Sequence, residues 1–268
     1  MDVLTERSSR VVSLAKLHRA AVRRSDQRFL AEGANAVDAA LATGRALQLL
    51  VREDDTHRFG DLLTRAERAH LPVQLLTARA ADKLSDTATA PGIFAEATLL
   101  TRSLDDVEWA GPGFVVVAVE PREPGNAGTL IRCADALGAK AVLLLGDSVD
   151  PHNGKCVRAS AGSVFHIPIA VDRDIAASLA RLREVGLLTL ATTMDGEVAL
   201  PAADALLAQP HAWLFGNEAH GLPADVLAGA DFRVSIPIAG RAESLNLAAA
   251  SAICLYASAA QRSSEARS

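Results

Sequence analysis

Apolar residues recur in different patterns along the chain, and the change falls near residue 105. Between residues 9 and 24, Val11, Val12, Leu14, Leu17 and Val22 sit close to helical spacing with arginines between them, which predicts one amphipathic helix. Short apolar segments then alternate with helical ones. Residues 28–32, 46–51, 72–76 and 92–100 read as strands. Residues 34–43 and 61–70 read as helices; Gly44 ends the first, and a turn-rich stretch at 86–91 precedes the last strand. This is the pattern of a small α/β domain.

In the stretch 103–113, Asp105, Asp106, Glu108 and the run Gly111-Pro112-Gly113 break both periodicities, so the domain boundary is placed there, with residues 1–105 before it and 106–268 after it. Beyond it, β-branched apolar runs at 114–119, 141–145, 164–169, 187–192, 212–215 and 232–236 alternate with helical segments. Continuous apolar strands joined by helices predict a parallel sheet covered on both faces. The Ala-rich run 245–260 is interrupted by Asn246 and two serines, and it reads as a buried helix rather than a membrane span.

The chain has 268 residues, 50% of them apolar, enough to build a full core. Residues 1–10 carry charge where a secretion signal needs an apolar stretch, and the expectation is a cytoplasmic protein. Cys133, Cys156 and Cys254 form no CxxC pair, and the seven histidines do not fall at metal-ligand spacing around them, so no metal is expected. The net charge of −5 argues against a nucleic-acid partner, but its distribution argues the other way. Residues 1–28 hold seven cations, Arg7, Arg10, Lys16, Arg19, Arg23, Arg24 and Arg28, against Asp2, Glu6 and Asp26, a local +4. That patch is either a solvated helix face or a surface for phosphates.

In open parallel sheets, ligands sit where loops leave the carboxyl ends of strands. After the run 114–119 comes Pro121-Arg-Glu-Pro-Gly-Asn-Ala-Gly128, then a helix expected to carry Arg132 in its first turns. Gly125 and Gly128 would leave free amides at that helix start, suited to an anion. The spacing is not GxGxxG and lacks the acidic residue about twenty positions on, which disfavours a nicotinamide site. After the run 212–215 comes Gly216-Asn-Glu-Ala-His-Gly-Leu222, a turn able to offer backbone donors and acceptors. After 232–236, the stretch to Asn246 opens the final helix. Ser244 is placed to cap it, and Asn246, two residues on, has no evident structural duty.

Together these residues resemble the SpoU (TrmH) branch of the SPOUT RNA 2′-O-ribose methyltransferases. Three motifs match in order and spacing: Asn126-x-Gly128-xxx-Arg132, Phe215-Gly-Asn-Glu218-xx-Gly221-Leu222, and Ile236-Pro-Ile-x-Gly240-xxx-Ser244-Leu-Asn246. Phe29-Leu-Ala-Glu-Gly33 and the run 84–93 resemble the ribosomal-protein-like substrate-binding domain that precedes many such catalytic domains, and Arg158-Ala-Ser-Ala-Gly162 fits as well. Asn153-Gly-Lys155 departs from the pattern, since relatives often carry proline before the lysine.

The resemblance implies an α/β catalytic domain with a deep trefoil knot, behind an α/β RNA-binding domain. It implies a homodimer whose active site uses both protomers, with S-adenosylmethionine as cofactor and no metal or membrane. Arg132, Asn126, Glu218, Ser244 and Asn246 are the implied catalytic set. Leu214, Gly216, Asn217, Gly221, Leu222, Ile236, Ile238 and Leu245 are the implied cofactor contacts. Arg7, Arg10, Arg19, Arg23, Arg24 and Arg28 are the cations expected to meet RNA. Ribosomal RNA is favoured over transfer RNA because of the amino-terminal domain. The rival reading, a silent RNA-binding module of the same fold, predicts eroded motif residues, and none is eroded. Two roles stand open for Arg132: general base, which a strongly basic guanidinium performs poorly, or a bidentate clamp on a phosphate that also stabilises the developing alkoxide.

Overall fold

The computed structural model describes residues 3–109 and 111–265. In chain order the elements are α1 (Ser9–Ala15), α2 (Ala20–Asp26), β1 (Arg28–Glu32), α3 (Ala34–Ala42), β2 (Ala46–Arg52), α4 (Gly60–Arg68), β3 (Val73–Leu76), α5 (Ala78–Leu84), β4 (Ile93–Thr98), β5 (Thr101–Arg102) and β6 (Phe114–Val119). There follow α6 (Pro124–Ala136), β7 (Val142–Leu145), α7 (Gly154–Ser160), β8 (Ile169–Asp172), α8 (Ile175–Glu184), β9 (Leu188–Thr192), β10 (Val198–Ala199), α9 (Asp204–Leu207), β11 (His211–Phe215), α10 (Ala224–Gly229), β12 (Phe232–Ser235) and α11 (Leu247–Glu265). They form two compact units. One runs from the amino terminus to Leu100 and includes Asp150–His166; the other comprises Thr101–Val149 and the chain from Ile167 onward.

The first unit is built on a four-stranded sheet in the order β1-β4-β2-β3, antiparallel except for the β2–β3 pair. Val11, Leu14 and Leu17 pack with Leu30, Leu50, Leu76, Leu84 and Phe94 in its core. The single helix expected over residues 9–24 is two helices, because Arg19 is extended (φ −88°, ψ 124°). The carbonyls freed at that break are taken by the buried Arg23, whose Nη1 donates to Leu17 O at 2.8 Å and His18 O at 2.9 Å. Its Nη2 donates to Asp150 Oδ2 at 2.6 Å.

Segment 150–166 packs into this unit through aromatic as well as ionic contacts. Phe29 stacks on Phe165 at 5.7 Å and tilts against His152 at 4.8 Å. That packing explains a second departure. The strand expected at 164–169 begins only at Ile169, since Gly162 (φ 101°) reverses the chain and residues 163–165 form a 3-10 turn that buries Val164 and Phe165. Helix α5 was not among the expected elements; Thr77 caps it by accepting Ala80 N.

The second unit holds an eight-stranded sheet, order β10-β12-β9-β11-β6-β7-β8-β5, with every pairing parallel. Strands β6, β7 and β11 are buried along their whole length, as a sheet covered on both faces requires. Among the described residues, no helix is long and apolar enough to cross a membrane.

Candidate functional site

Four loops leave the carboxyl ends of β6, β9, β11 and β12, and residues from all four line one cavity of about 570 Å3. Neighbouring parallel strands end on the same side of a sheet, so loops far apart in sequence meet there.

The first loop is shaped by the start of α6. Pro124 occupies the first helical turn, where its missing N–H costs nothing, and Glu123 caps the helix by accepting Gly125 N at 3.2 Å. This corrects the expectation of free glycine amides: Gly125 N is engaged, and Gly128 is buried within the helix. Asn126 lies in the first turn and points its amide at the neighbouring loops. Its Nδ2 donates to Glu218 Oε1 at 3.1 Å, and its Oδ1 accepts from Asn246 Nδ2 at 3.2 Å.

Glu218 also accepts the amides of Arg122 at 3.2 Å and Glu123 at 3.4 Å. Burial opposes its ionisation, but the Asn126 amide and the backbone N–H groups outweigh it and hold the carboxyl below its ordinary range. Glu218 is therefore ionised at neutral pH.

The β11 loop is a tight turn closed by Asn217. Asn217 N donates to Gly221 O at 3.0 Å, and Gly221 N returns a bond to Asn217 O at 2.9 Å. The Asn217 side chain accepts Ala219 N at 2.8 Å and donates to Glu120 O at 2.8 Å, tying this loop to the first one. Gly216 has no room for a side chain, since an added Cβ would overlap the Gly221 carbonyl carbon and the Leu222 nitrogen. Gly221 holds φ 69°.

Helix α11 starts at Leu247, later than the expected 245, and its cap is Asn246, whose Oδ1 accepts Ala248 N at 2.8 Å. Asn246 thus has the structural duty assigned from sequence to Ser244, and the other end of the same amide donates to Asn126. Ser244 is exposed and lines the cavity.

Of the expected cofactor contacts, Gly216, Asn217, Gly221, Leu222, Ile236, Ile238 and Leu245 line the cavity. Leu214 does not; its side chain is fully buried in the core of the unit with Val117 and Val226. Asn126, Glu218, Ser244 and Asn246 line it as well, whereas Arg132 does not. Arg132 stands exposed in the third turn of α6, beyond the first turns where it was expected, and makes no hydrogen bond or ion pair with a described residue. Sequence reasoning missed Thr192, Thr193 and Met194, which line the cavity at the end of β9. Their signal was position alone, directly after a buried parallel strand. Among the described residues no group of three His, Cys, Asp or Glu side chains is placed to hold a metal.

The basic residues of the amino-terminal segment divide into three kinds. Arg7, Arg19 and Arg24 are exposed. Arg10 and Arg28, both partly exposed, pair with the buried Glu96. Arg23 is 4% exposed and committed to Asp150, so it is removed from the set of expected RNA contacts. At Asp150, burial would raise the carboxyl's pKa, but hydrogen bonds from His152 and Arg23 and the charge of Arg23 hold it far below the usual carboxylate range.

Residues 113–256 match the SpoU rRNA Methylase family, and residues 30–102 match the RNA 2′-O ribose methyltransferase substrate binding family. A 23S rRNA (guanosine(2553)-2′-O)-methyltransferase of Bacillus subtilis is 31% identical, covering 95% of this chain and 98% of that protein. The AdoMet-bound rRNA methyltransferase from Sinorhizobium meliloti superposes with a TM-score of 0.84 at 28% identity, covering 96% of this chain and 97% of that one. The SpoU methyltransferase AviRb from Streptomyces viridochromogenes, in complex with AdoMet, gives 0.85 at 27% identity, covering 96% and 99%.

Proposed function

The chain belongs to the SpoU rRNA methylase family, and from that premise we propose that its cavity holds S-adenosylmethionine while the Glu218–Asn126–Asn246 chain orients a ribose for methylation. The reaction is methyl transfer to a ribose 2′-hydroxyl of ribosomal RNA. The observation that carries this reading is that hydrogen-bond chain, which joins three motifs spread over 120 residues at the edge of one cavity.

The cavity's volume lies within the ~300–1,000 Å3 typical of small-ligand sites. The bare backbone at Gly216 and the paired amide and carbonyl groups of the Asn217–Gly221 turn suit close approach of a flat ring and a ribose. Ile236, Ile238 and Leu245 supply apolar cover. When bound, the sulfonium supplies the electrophilic methyl group.

The chain's own part is positioning and charge. A hydroxyl is a weak nucleophile, and an in-line arrangement recovers much of the barrier. Asn126 holds Glu218 through its amide nitrogen and Asn246 through its oxygen, so the ribose meets a preset array of donors and acceptors. Arg132 acts as the clamp on the neighbouring phosphate, through the paired N–H donors of its guanidinium, and stabilises the developing alkoxide. Its side chain lies outside the cavity of its own chain, which supports a homodimer in which each site receives Arg132 from the partner. Helix α11 also leaves Ile253 and Tyr256 exposed, apolar surface suited to a second copy. We place the trefoil knot implied by the resemblance in the carboxyl-terminal segments that line the cavity, and the protein in the cytoplasm. The first unit, up to Leu100 and including 150–166, is the RNA-binding domain and the second, from Thr101, the catalytic domain; the boundary falls a few residues before the expected 105/106 because Thr101–Arg102 pairs with β8.

Arg7, Arg19 and Arg24 meet RNA phosphates. Their triple alanine variant lowers the slope of log K against log salt by about 2, at roughly 0.7 per contact, and leaves cofactor affinity unchanged. An unchanged slope contradicts the assignment. Arg23→Ala behaves differently: it removes the cation from the partly buried Asp150 and the donor from the Leu17 and His18 carbonyls, and costs about 1–3 kcal/mol of stability, read by denaturant unfolding. The folded Asp150 pKa is depressed, so the pair's contribution is complete above the unfolded value of about 3.9 and is lost as pH falls below it.

A further inference from the structure

Among the described residues, four other than glycine hold a positive φ: Gln27, His70, Glu120 and Ala161. Gln27 and Ala161 are left-handed caps that close α2 and α7, and His70 follows the end of α4, positions where helices commonly adopt this conformation. Glu120 is different. It directly follows a strand, β6, with φ 52°, and it precedes Pro121, where helical conformations are disfavoured and extended backbone is normal. A side chain other than glycine, asparagine or aspartate in the left-handed region is uncommon, and such outliers persist where the surroundings impose them.

Here the surroundings do so from three directions. Glu120 N donates to Leu145 O at 2.9 Å. Glu120 O accepts Asn217 Nδ2 at 2.8 Å. Its side chain lies across Gly146, where a Cβ would come within 2.7 Å of Glu120 Cγ, and its Oε1 accepts Asp147 N at 3.4 Å. The consequence appears two and three residues later. The chain turns so that the successive amides of Arg122 and Glu123 both point at the Glu218 carboxylate. Successive N–H groups converging on one anion need such a bend in the backbone. An extended Glu120 would carry its carbonyl away from Asn217 and both amides away from Glu218.

We propose that Glu120 is a positioning residue for methyl transfer, and that its left-handed backbone, rather than its carboxylate, docks the 120–123 loop on the Asn217–Glu218 turn and sets Glu218 toward the ribose. This rests on the reading of Glu218 as the substrate-orienting group, and the test separates the two by ranking variants of an active enzyme.

The variants are Glu120→Gly, Glu120→Asn, Glu120→Ala and Glu120→Val, in falling order of tolerance for positive φ. Methyl transfer is measured under single-turnover conditions at saturating S-adenosylmethionine, with ribosomal RNA purified from cells lacking the gene. The Gly and Asn variants stay within about threefold of the parent rate, Ala falls about tenfold and Val about a hundredfold, as small misplacements in a preset site cost. Cofactor Kd stays within about threefold for all four, so the loss lies in the methyl-transfer step. A purely structural role would move melting temperature without this ranking. Should the Val variant not fold, the order of Gly and Asn above Ala decides. The proposal is overturned if Gly and Asn lose as much as Ala, which would make the carboxylate the active part, or if all four match the parent.

Discussion

Arg132→Ala lowers methyl transfer by about 10²–10³-fold or more while S-adenosylmethionine still binds, because its proposed role is to stabilise charge in the transition state and it does not line its own chain's cavity. The exposed side chain has no partner to lose, so the fold survives; surface substitutions of this kind change stability by about 0.5 kcal/mol or less. Pairing it with a lesion on the other wall gives the sharper result. Asn246→Asp keeps the carbonyl-type oxygen that caps α11 but cannot donate to Asn126, so it damages the site without freeing the helix start. Each single variant is impaired. In a heterodimer of the two, one site carries both lesions and the other carries neither, and activity returns toward half that of the wild-type dimer. If each chain built a complete site alone, every site would carry one lesion and nothing would return. That outcome would sink the shared site while leaving Arg132 in its role.

Gly216→Ala has the second large effect, and it falls on cofactor binding. A Cβ at this position has nowhere to go: the atoms it meets are backbone of Gly221 and Leu222, inside a turn closed by two reciprocal hydrogen bonds. Either the turn opens or the cavity floor moves. Overpacking of this kind costs about 3 kcal/mol, which weakens Kd for S-adenosylmethionine roughly a hundredfold by calorimetry. Gly60→Ala, at a site with open space around it and ordinary φ, leaves Kd unchanged. Equal binding by the Gly216 variant and the wild type would mean the cofactor does not rest on that backbone.

The residues that could be read from sequence are those whose meaning is local or fixed by strand topology. Strands β6 and β11 are uninterrupted apolar runs, and their burial follows from that pattern alone. Once they are parallel neighbours, Asn126 and Glu218 must lie near each other, because the loops that follow both strands emerge at the same end. What stayed hidden depends on partners distant in sequence. Arg23 looks like any other arginine on an amphipathic helix until Asp150, 127 positions away, claims it. Val164 and Phe165 have the composition of a strand, yet Gly162 reverses the chain and Phe29 supplies a better neighbour. Asn246 seemed free of structural duty only because the helix was placed two residues too early. Nothing local to Glu120 announces a left-handed strand end before a proline; the bonds that impose it come from Leu145 and Asn217.

The central claim is that this chain methylates a ribose 2′-hydroxyl in ribosomal RNA. Its most direct test is mass-spectrometric mapping of rRNA from cells lacking the gene after incubation with the protein and methyl-deuterated S-adenosylmethionine. The expected result is a single rRNA nucleotide that gains one deuterated methyl on its ribose, and the loss of that label with Arg132→Ala. Label on a base, label confined to transfer RNA, or no label at all would contradict it.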